Sequence, residues 1–265
     1  QKHMPKTILS QNRPGADGKI GLTKLVQSKP DGQTIGFINL PTFTTWAAQP
    51  GAPFSINDIV PIANHLTEAG VVAVKADSPY KTIEELVAAA KEKGNLKAST
   101  NGNKASNHTA AQLLAKSAGF KYKAIPYGGT ADQLLALRQG EVDFTCAKVA
   151  DVAKLVKGDK PELRVLAVFN TKRDPELPNV PTLGEKGLYP EWYGSARALV
   201  APKGTKPEVI QYYVEAFKKT MQDPAVIEAH KKAGMALDFK DNKELGDLIK
   251  AQDKFARDVV NDLYK

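Results

Sequence analysis

Three times in this chain a short apolar stretch runs into a glycine-rich polar loop that opens a helix. The loops are Asn12-Arg13-Pro14-Gly15-Ala16-Asp17-Gly18, residues 99–107 (Ser99-Thr100-Asn101-Gly102-Asn103-Lys104-Ala105-Ser106-Asn107) and Tyr127-Gly128-Gly129-Thr130. A strand, a glycine loop and a helix in that order make the repeating unit of an α/β fold. The device aims unpaired backbone N–H groups, at the positive end of a helix dipole, toward whatever lies above the strand ends. A small anion is held this way without a metal or a catalytic side chain.

The rest of the chain repeats the alternation. Apolar stretches at residues 7–11, 34–40, 71–75, 96–99, 122–126, 142–146, 163–169 and 197–201 have strand length, and helical patterns lie between most of them. Residues 1–5 read as the frayed tail of a helix cut off by Pro5, and residues 41–57 as loop with short helical pieces. Thr82-Ile83-Glu84-Glu85 is a capping box whose helix stops at Gly94, and Thr130 with Gln133 has the same spacing. Asn107 reads as the cap of a helix ending near Gly119, and a further helix is predicted over residues 149–157. From Pro207 onward the pattern is helical, with Pro207 and Pro224 at first-turn positions and Asn242 opening the last helix. Alternation of this kind predicts an open, largely parallel sheet rather than a sandwich.

The 265 residues suffice for two small domains, each with its own core. The strand at residues 71–75, broken by Asp77-Ser78-Pro79, and the segment 197–205 are the two plausible crossings between lobes. Together they predict a first lobe of residues 1–75 and 198–265 and an inserted second lobe of residues 76–197. A ligand is then expected in the cleft where loops at the strand carboxyl ends converge.

The bulk numbers exclude other classes. No stretch approaches the roughly 20 apolar residues of a membrane span. The net charge of +8 favours acidic partners, but the Lys and Arg residues are scattered along helices without aromatic platforms, which disfavours nucleic acid. The single cysteine, Cys146, follows a strand and reads as a buried, inert thiol; it cannot form an internal disulfide or a CxxC site. His3, His65, His108 and His230 are too scattered to suggest a metal centre, and no HExxH, GxSxG or GxxxxGK[ST] motif is present. No cofactor and no enzymatic activity are therefore expected.

Taken in order, the motifs resemble one family. The pieces are Asn12-Arg13-Pro14-Gly15-Ala16-Asp17-Gly18-Lys19-Ile20-Gly21, Pro30-Asp31-Gly32, and Ser99-Thr100-Asn101-Gly102 leading to His108. They continue with Pro126-Tyr127-Gly128-Gly129, Gly140-Glu141-Val142-Asp143, Leu177-Pro178-Asn179-Val180-Pro181-Thr182 and Ala201-Pro202-Lys203-Gly204-Thr205. In order and spacing they resemble the substrate-binding receptors of tripartite tricarboxylate transporters, the Bug family. The resemblance implies a type II periplasmic-binding-protein fold of two lobes, with mainly parallel sheets joined by two crossing strands. It implies a monomer that closes on a small mono- or dicarboxylate and delivers it to the permease subunits of a membrane transporter. The location it implies is the periplasm, or the outer surface of a Gram-positive host through a lipid anchor. A ligand-sensing module of a regulator or signalling system with the same fold is the alternative.

The sequence departs from the family pattern in three places. A strand and Gly-Gly loop expected ahead of the Asn12 segment are not in the sequence, which implies that part of the first lobe is missing. Ala147-Lys148 stands where the family usually resembles Asp-Asn, which favours a second negative group on the ligand. The loop carrying Asn103, Lys104 and Asn107 is richer in amides than the common version.

Within this frame Ser99, Thr100, Asn101 and Gly102 are expected to supply hydroxyl, amide and backbone donors to one carboxylate; the bland alternative is a capped strand-to-helix turn. Asn103, Ser106, Asn107 and His108 follow at the next helix start, where Asn107 is first of all a cap and His108 an ordinary satisfied histidine. Tyr127 packs on the ligand or fills the lobe, while Gly128, Gly129 and Thr130 offer amides. Lys148 is the sharpest candidate, an ammonium for a second carboxylate, against a solvated lysine at a helix start. Thr42 after the 34–40 strand and Ser195 before the second crossing complete the set, and Arg13 reads as an anion partner or a structural ion pair.

Overall fold

The computed structural model describes residues 3, 4 and 6–264. The expected helical tail at residues 1–5 falls on Gln1, Lys2 and Pro5, outside the described residues. The chain divides into two compact units, one of Gln1–Thr67 with Ala196–Lys265 and one of Glu68–Ser195. Both divisions fall inside strands, close to the two crossing segments.

The first stretch of unit 1 contains α1 (Lys19–Val26), β1 (Gly36–Leu40), α2 (Thr42–Ala47) and the first part of β2 (Ile59–Lys75). Residues 7–11, expected as a strand, join no ladder and lie exposed. Strand β2 begins well before the predicted residue 71, because Pro61, Asn64, His65 and Glu68 interrupt the apolar pattern of its first half.

Unit 2 takes the rest of β2, then α3 (Ile83–Lys93), β3 (Lys97–Thr100), α4 (Ser106–Ala118), β4 (Lys123–Pro126) and α5 (Thr130–Gln139). It continues with β5 (Phe144–Lys148), α6 (Val149–Val152) and β6 (Leu163–Phe169). The Thr82 capping box forms as predicted: the Thr82 hydroxyl accepts from Glu85 N–H at 3.2 Å and Glu85 Oε2 from Thr82 N–H at 3.3 Å. Helix α3 ends at Gly94, whose φ of 67° closes the last turn at a position where a side chain would be strained. Strand β3 lies parallel to β4 (Thr100 opposite Pro126) and parallel to β5 (Ser99 opposite Thr145). β5 and β6 then pair antiparallel with β2 on either side. The core is built from Val71, Ala73, Leu134, Leu137, Val149, Val152 and Val165, among others.

The chain returns along β7 (Gly194–Pro202) to unit 1, followed by α7 (Pro207–Met221), α8 (Pro224–Lys232), β8 (Leu237–Lys240) and α9 (Asn242–Phe255). Strand β7 runs antiparallel to β1 and lies beside β2, whose other partner in this unit is β8, again antiparallel. Leu25, Ile38, Leu40, Phe43, Trp46, Ala198, Leu245 and Ile249 share one core of this unit, and Ile62, Ala201, Ile210 and Val214 another.

The sheet is thus mixed, and the expectation of mainly parallel sheets is corrected: only the β4–β3–β5 pairings are parallel among those described. The reason is that β2, β6 and β7 are not joined to their neighbours by helical crossovers of the usual parallel kind. The helical reading of everything after Pro207 also needs correction. β8, with only four residues, is too short to show an alternating pattern against its helical flanks.

Candidate functional site

Because β3, β4 and β5 are parallel, their carboxyl ends share one edge of unit 2, and three chain reversals gather there. They are residues 101–105 before α4, residues 127–129 before α5, and Lys148 at the junction of β5 with α6. The first two loops are bound to each other directly: Tyr127 N–H donates to Thr100 O at 2.9 Å. The glycine loops at residues 101 and 128 therefore lie side by side.

The loop after β3 is held from within. Thr100 Oγ1 donates to Gly102 O at 3.3 Å, and Gly102 sits at φ 123°, a conformation that favours glycine. Asn101 Oδ1 accepts from the backbone N–H of Asn107 at 3.3 Å, so Asn101 serves an N–H group in the first turn of α4. The N-cap position itself is Ala105, which corrects the reading of Asn107 as the cap: Asn107 is already helical and its side chain points elsewhere. His108 Nδ1 accepts from Lys104 N–H at 3.0 Å, at a residue with φ 55°. Burial, and then the charge of Lys104, push the His108 pKa down to about 4, so the imidazole is neutral with its proton on Nε2. Asn103 is exposed at the loop tip.

The loop after β4 presents its amides more openly. Gly129 is the N-cap of α5 and carries no side-chain cap, and Gly128 is exposed. Thr130 is the first helical residue rather than the cap, and the Thr130–Gln133 capping box does not form because Gln133 turns into the core. Tyr127 donates its hydroxyl to Glu141 Oε2 at 3.1 Å; partial burial and this bond raise its pKa. Asp132, in the first turn of α5, complements the helix dipole and reduces the positive field at Gly128.

Below these loops lies a chain of buried polar side chains. Lys148, 2% exposed, donates from Nζ to Ser106 Oγ at 3.3 Å and to Asn107 Oδ1. Its backbone N–H donates to Asp151 Oδ2 at 3.0 Å. Asn107 Nδ2 donates to Gln133 Oε1 at 2.9 Å, and Gln133 Nε2 donates to Thr145 Oγ1 and, at 2.6 Å, to Cys146 O. Thr145 donates to Ser99 O at 2.9 Å and accepts from Ser99 Oγ at 3.0 Å. Lys148 is therefore not the solvated lysine of the bland reading. Its Nζ is held beside the first turn of α4 by acceptors on that helix, where an ammonium and the helix dipole would act together on an anion. Ser99 directs its hydroxyl to Thr145 and lies beneath the loop surface.

Sequence reasoning missed Gln133 and Thr145. Both carried a signal: Gln133 occupies the buried stripe of α5 with Leu134, Ala136 and Leu137, and Thr145 lies in an otherwise apolar strand. A polar side chain on a core-facing position needs partners, and these two find each other.

The remaining candidates lie on other elements or serve the core. Thr42 lies in unit 1 at the start of α2, with its Oγ1 3.4 Å from Asn39 Oδ1. Ser195 is wholly buried on β7, its Oγ without a hydrogen-bond partner among the described residues. Arg13 donates to Gln11 Oε1 at 3.0 Å. Cys146 is buried, and burial raises its thiol pKa to about 12 against the opposing pull of Lys148. Among the described residues no three His, Cys, Asp or Glu side chains are grouped to hold a metal, and no helix is long and apolar enough to cross a membrane.

Comparison with known proteins agrees with the motifs. The model of the tripartite tricarboxylate transporter family receptor, TctC, matches residues 1–263. The UPF0065 protein in the gbd 5′ region of Cupriavidus necator is 32% identical over 224 residues, which is 84% of this chain and 67% of that protein. The periplasmic binding protein BugD superposes with a TM-score of 0.85 at 25% identity, covering 96% of this chain and 85% of BugD. R. palustris Rpa4515 with adipate has the same fold, with a TM-score of 0.89 at 20% identity over 99% of this chain and 88% of that one. The α/β binding-protein fold expected from the sequence is borne out, and the chain belongs to the tripartite tricarboxylate transporter receptor family.

Proposed function

We propose that this protein is a non-catalytic receptor that captures a small carboxylate outside the cytoplasm and hands it to the membrane permease of a tripartite transporter. The observation that carries this reading is the shared edge of β3, β4 and β5. There two amide-bearing loops and the first turns of α4 and α5 lie over the buried charge of Lys148. Backbone donors fixed in advance, a helix dipole and a cation all favour an anion, and none supplies a nucleophile or a proton acceptor poised for chemistry.

The hydrogen bonds support a division of labour. Asn101, Asn103, Gly128, Gly129 and Thr130 are the donors we assign to the ligand, with Tyr127 flanking them. Ser99, Ser106, Asn107 and His108 hold the loops and the Lys148 ammonium in place. Lys148 then favours a ligand with a second negative group, such as the adipate carried by the neighbour of the same fold.

A thermal-shift screen with a panel of mono- and dicarboxylic acids tests the reading. A ligand at about 100 times its dissociation constant stabilises by about 2.7 kcal/mol. Lys148→Met is expected to weaken diacids selectively, and equal loss of mono- and diacid binding would refute the role given to Lys148. Conversion of a bound acid to product would refute the receptor.

A further inference from the structure

We propose that Gln133 is the positioning residue of this site: it fixes the direction of the Asn107 carboxamide and so keeps an acceptor on the Lys148 ammonium. The function of that ammonium rests on the receptor reading above, but its positioning does not.

The inference follows from one backbone carbonyl. Cys146 O can only accept, so the Gln133 atom 2.6 Å away must be the amide nitrogen. The second hydrogen on that nitrogen goes to Thr145 Oγ1, whose own proton is committed to Ser99 O. Gln133 Oε1 must then face Asn107, and it can only meet a donor, so Asn107 turns its Nδ2 toward Gln133. That leaves Asn107 Oδ1, and not its NH₂, on Lys148 Nζ. Amide orientations are settled by such networks, and here every link has one direction. Reverse either amide and a donor meets a donor at Lys148, or an acceptor meets an acceptor at Cys146.

Gln133, Asn107 and Thr145 are 0%, 1% and 0% exposed, so water cannot repair a broken link. The chain spans α5, α4, β5 and β3, four of the elements whose ends meet at this edge. Without Gln133 the Asn107 NH₂ loses its buried acceptor, and the Lys148 ammonium alone is left to oppose rotation of the carboxamide.

The test is nuclear magnetic resonance on the intact protein, with Gln133→Leu compared to Leu134→Ala. The second variant removes a neighbouring buried side chain of α5 without touching the chain of bonds. The Lys148 ammonium signal is observable only where its protons are held against exchange with water. We expect it in the wild type and in Leu134→Ala, and expect it to be lost in Gln133→Leu. A signal that persists in Gln133→Leu, or that vanishes equally in Leu134→Ala, overturns the proposal. Should Gln133→Leu fail to fold, the wild type still decides: the side-chain amide protons of Gln133 and Asn107 must exchange slowly, and rapid exchange of either overturns the proposal. Adipate and hexanoate affinities provide the link to function, with an expected loss of about tenfold in the adipate-to-hexanoate ratio for Gln133→Leu. Failure of every acid in the carboxylate panel to bind the wild type would count against the receptor reading, while the ammonium signal independently decides the role of Gln133.

Discussion

His108→Asn should flatten part of the acid limb of the stability profile. His108 is 7% exposed in the first turn of α4, and its Nδ1 accepts the Lys104 N–H in the loop after β3. Burial first, and the Lys104 charge second, lower its pKa from 6.5 to about 4 in the folded protein. The folded state therefore binds fewer protons than the unfolded chain between those two values. The neutral histidine contributes its full stability above the unfolded value, and that contribution declines as the pH falls from 6.5 toward 4. With these values the loss amounts to about 2 kcal/mol between about pH 7 and about pH 5, and approaches about 3 kcal/mol below the folded value. Asparagine places its Oδ1 near the position of the histidine Nδ1, so the variant keeps an acceptor for Lys104 but does not titrate. Urea unfolding at a series of pH values measures both proteins. His65 is also lowered to about 4, by burial and then by His230 and Arg197, but it is present in both proteins and cancels in the difference. The stability difference between wild type and variant should move by about 2 kcal/mol over that window in favour of the variant as the pH falls. A difference that stays constant with pH would refute the buried, neutral imidazole on which the loop geometry depends.

Two further substitutions or reactions probe the surrounding frame. Gly194→Ala would place a Cβ 1.9 Å from Glu68 O and 2.8 Å from Trp192 Cζ2. Backbone must move to admit it, and urea unfolding should show a loss of about 2–3 kcal/mol; a neutral effect would mean that the β2–β7 approach is looser than described. Cys146 should resist alkylation at neutral pH until the protein unfolds, since its thiol is buried with a pKa near 12. Labelling in native buffer at the rate of a free thiol would contradict that burial.

The fold was legible where local chemistry decides. The Thr82–Glu85 box and Gly94 bracket α3, and Gly119 and Gly140 terminate α4 and α5 in left-handed conformations as their positions implied. The 163–169 stretch was legible as a strand because it is apolar throughout except for Arg164. What failed depended on distant partners. Residues 7–11 have strand composition but join no ladder, whereas the first half of β2 has a poor pattern yet pairs with β8 and lies beside β7. Strand direction was equally hidden: β5 is parallel to β3 but antiparallel to β2, a choice set by tertiary pairing rather than by residue type. At the candidate site, the glycine loops marked the edge where β3, β4 and β5 end. They did not give the roles of the side chains, because Thr130–Gln133 has capping-box spacing and only the buried partners of Gln133 draw it away from the cap.

Two features the sequence reading set apart, Lys148 and the amide-rich loop, are joined in the structure. A buried ammonium costs several kcal/mol unless acceptors surround it, while each hydrogen bond to a charged group returns about 1.5–3 kcal/mol. Asn107 and Ser106 supply acceptors from α4. An asparagine that accepts with its oxygen must also place two N–H groups, and in a buried site this obliges a partner such as Gln133. Gln133 then requires acceptors of its own, which Thr145 and Cys146 O provide. The charge at the strand edge and the polar residues beneath it are therefore coupled by hydrogen-bond satisfaction, and a change at Lys148 alone leaves Asn107 Oδ1 without its ammonium donor. The position of Lys148 at this edge thus depends on the buried residues behind it.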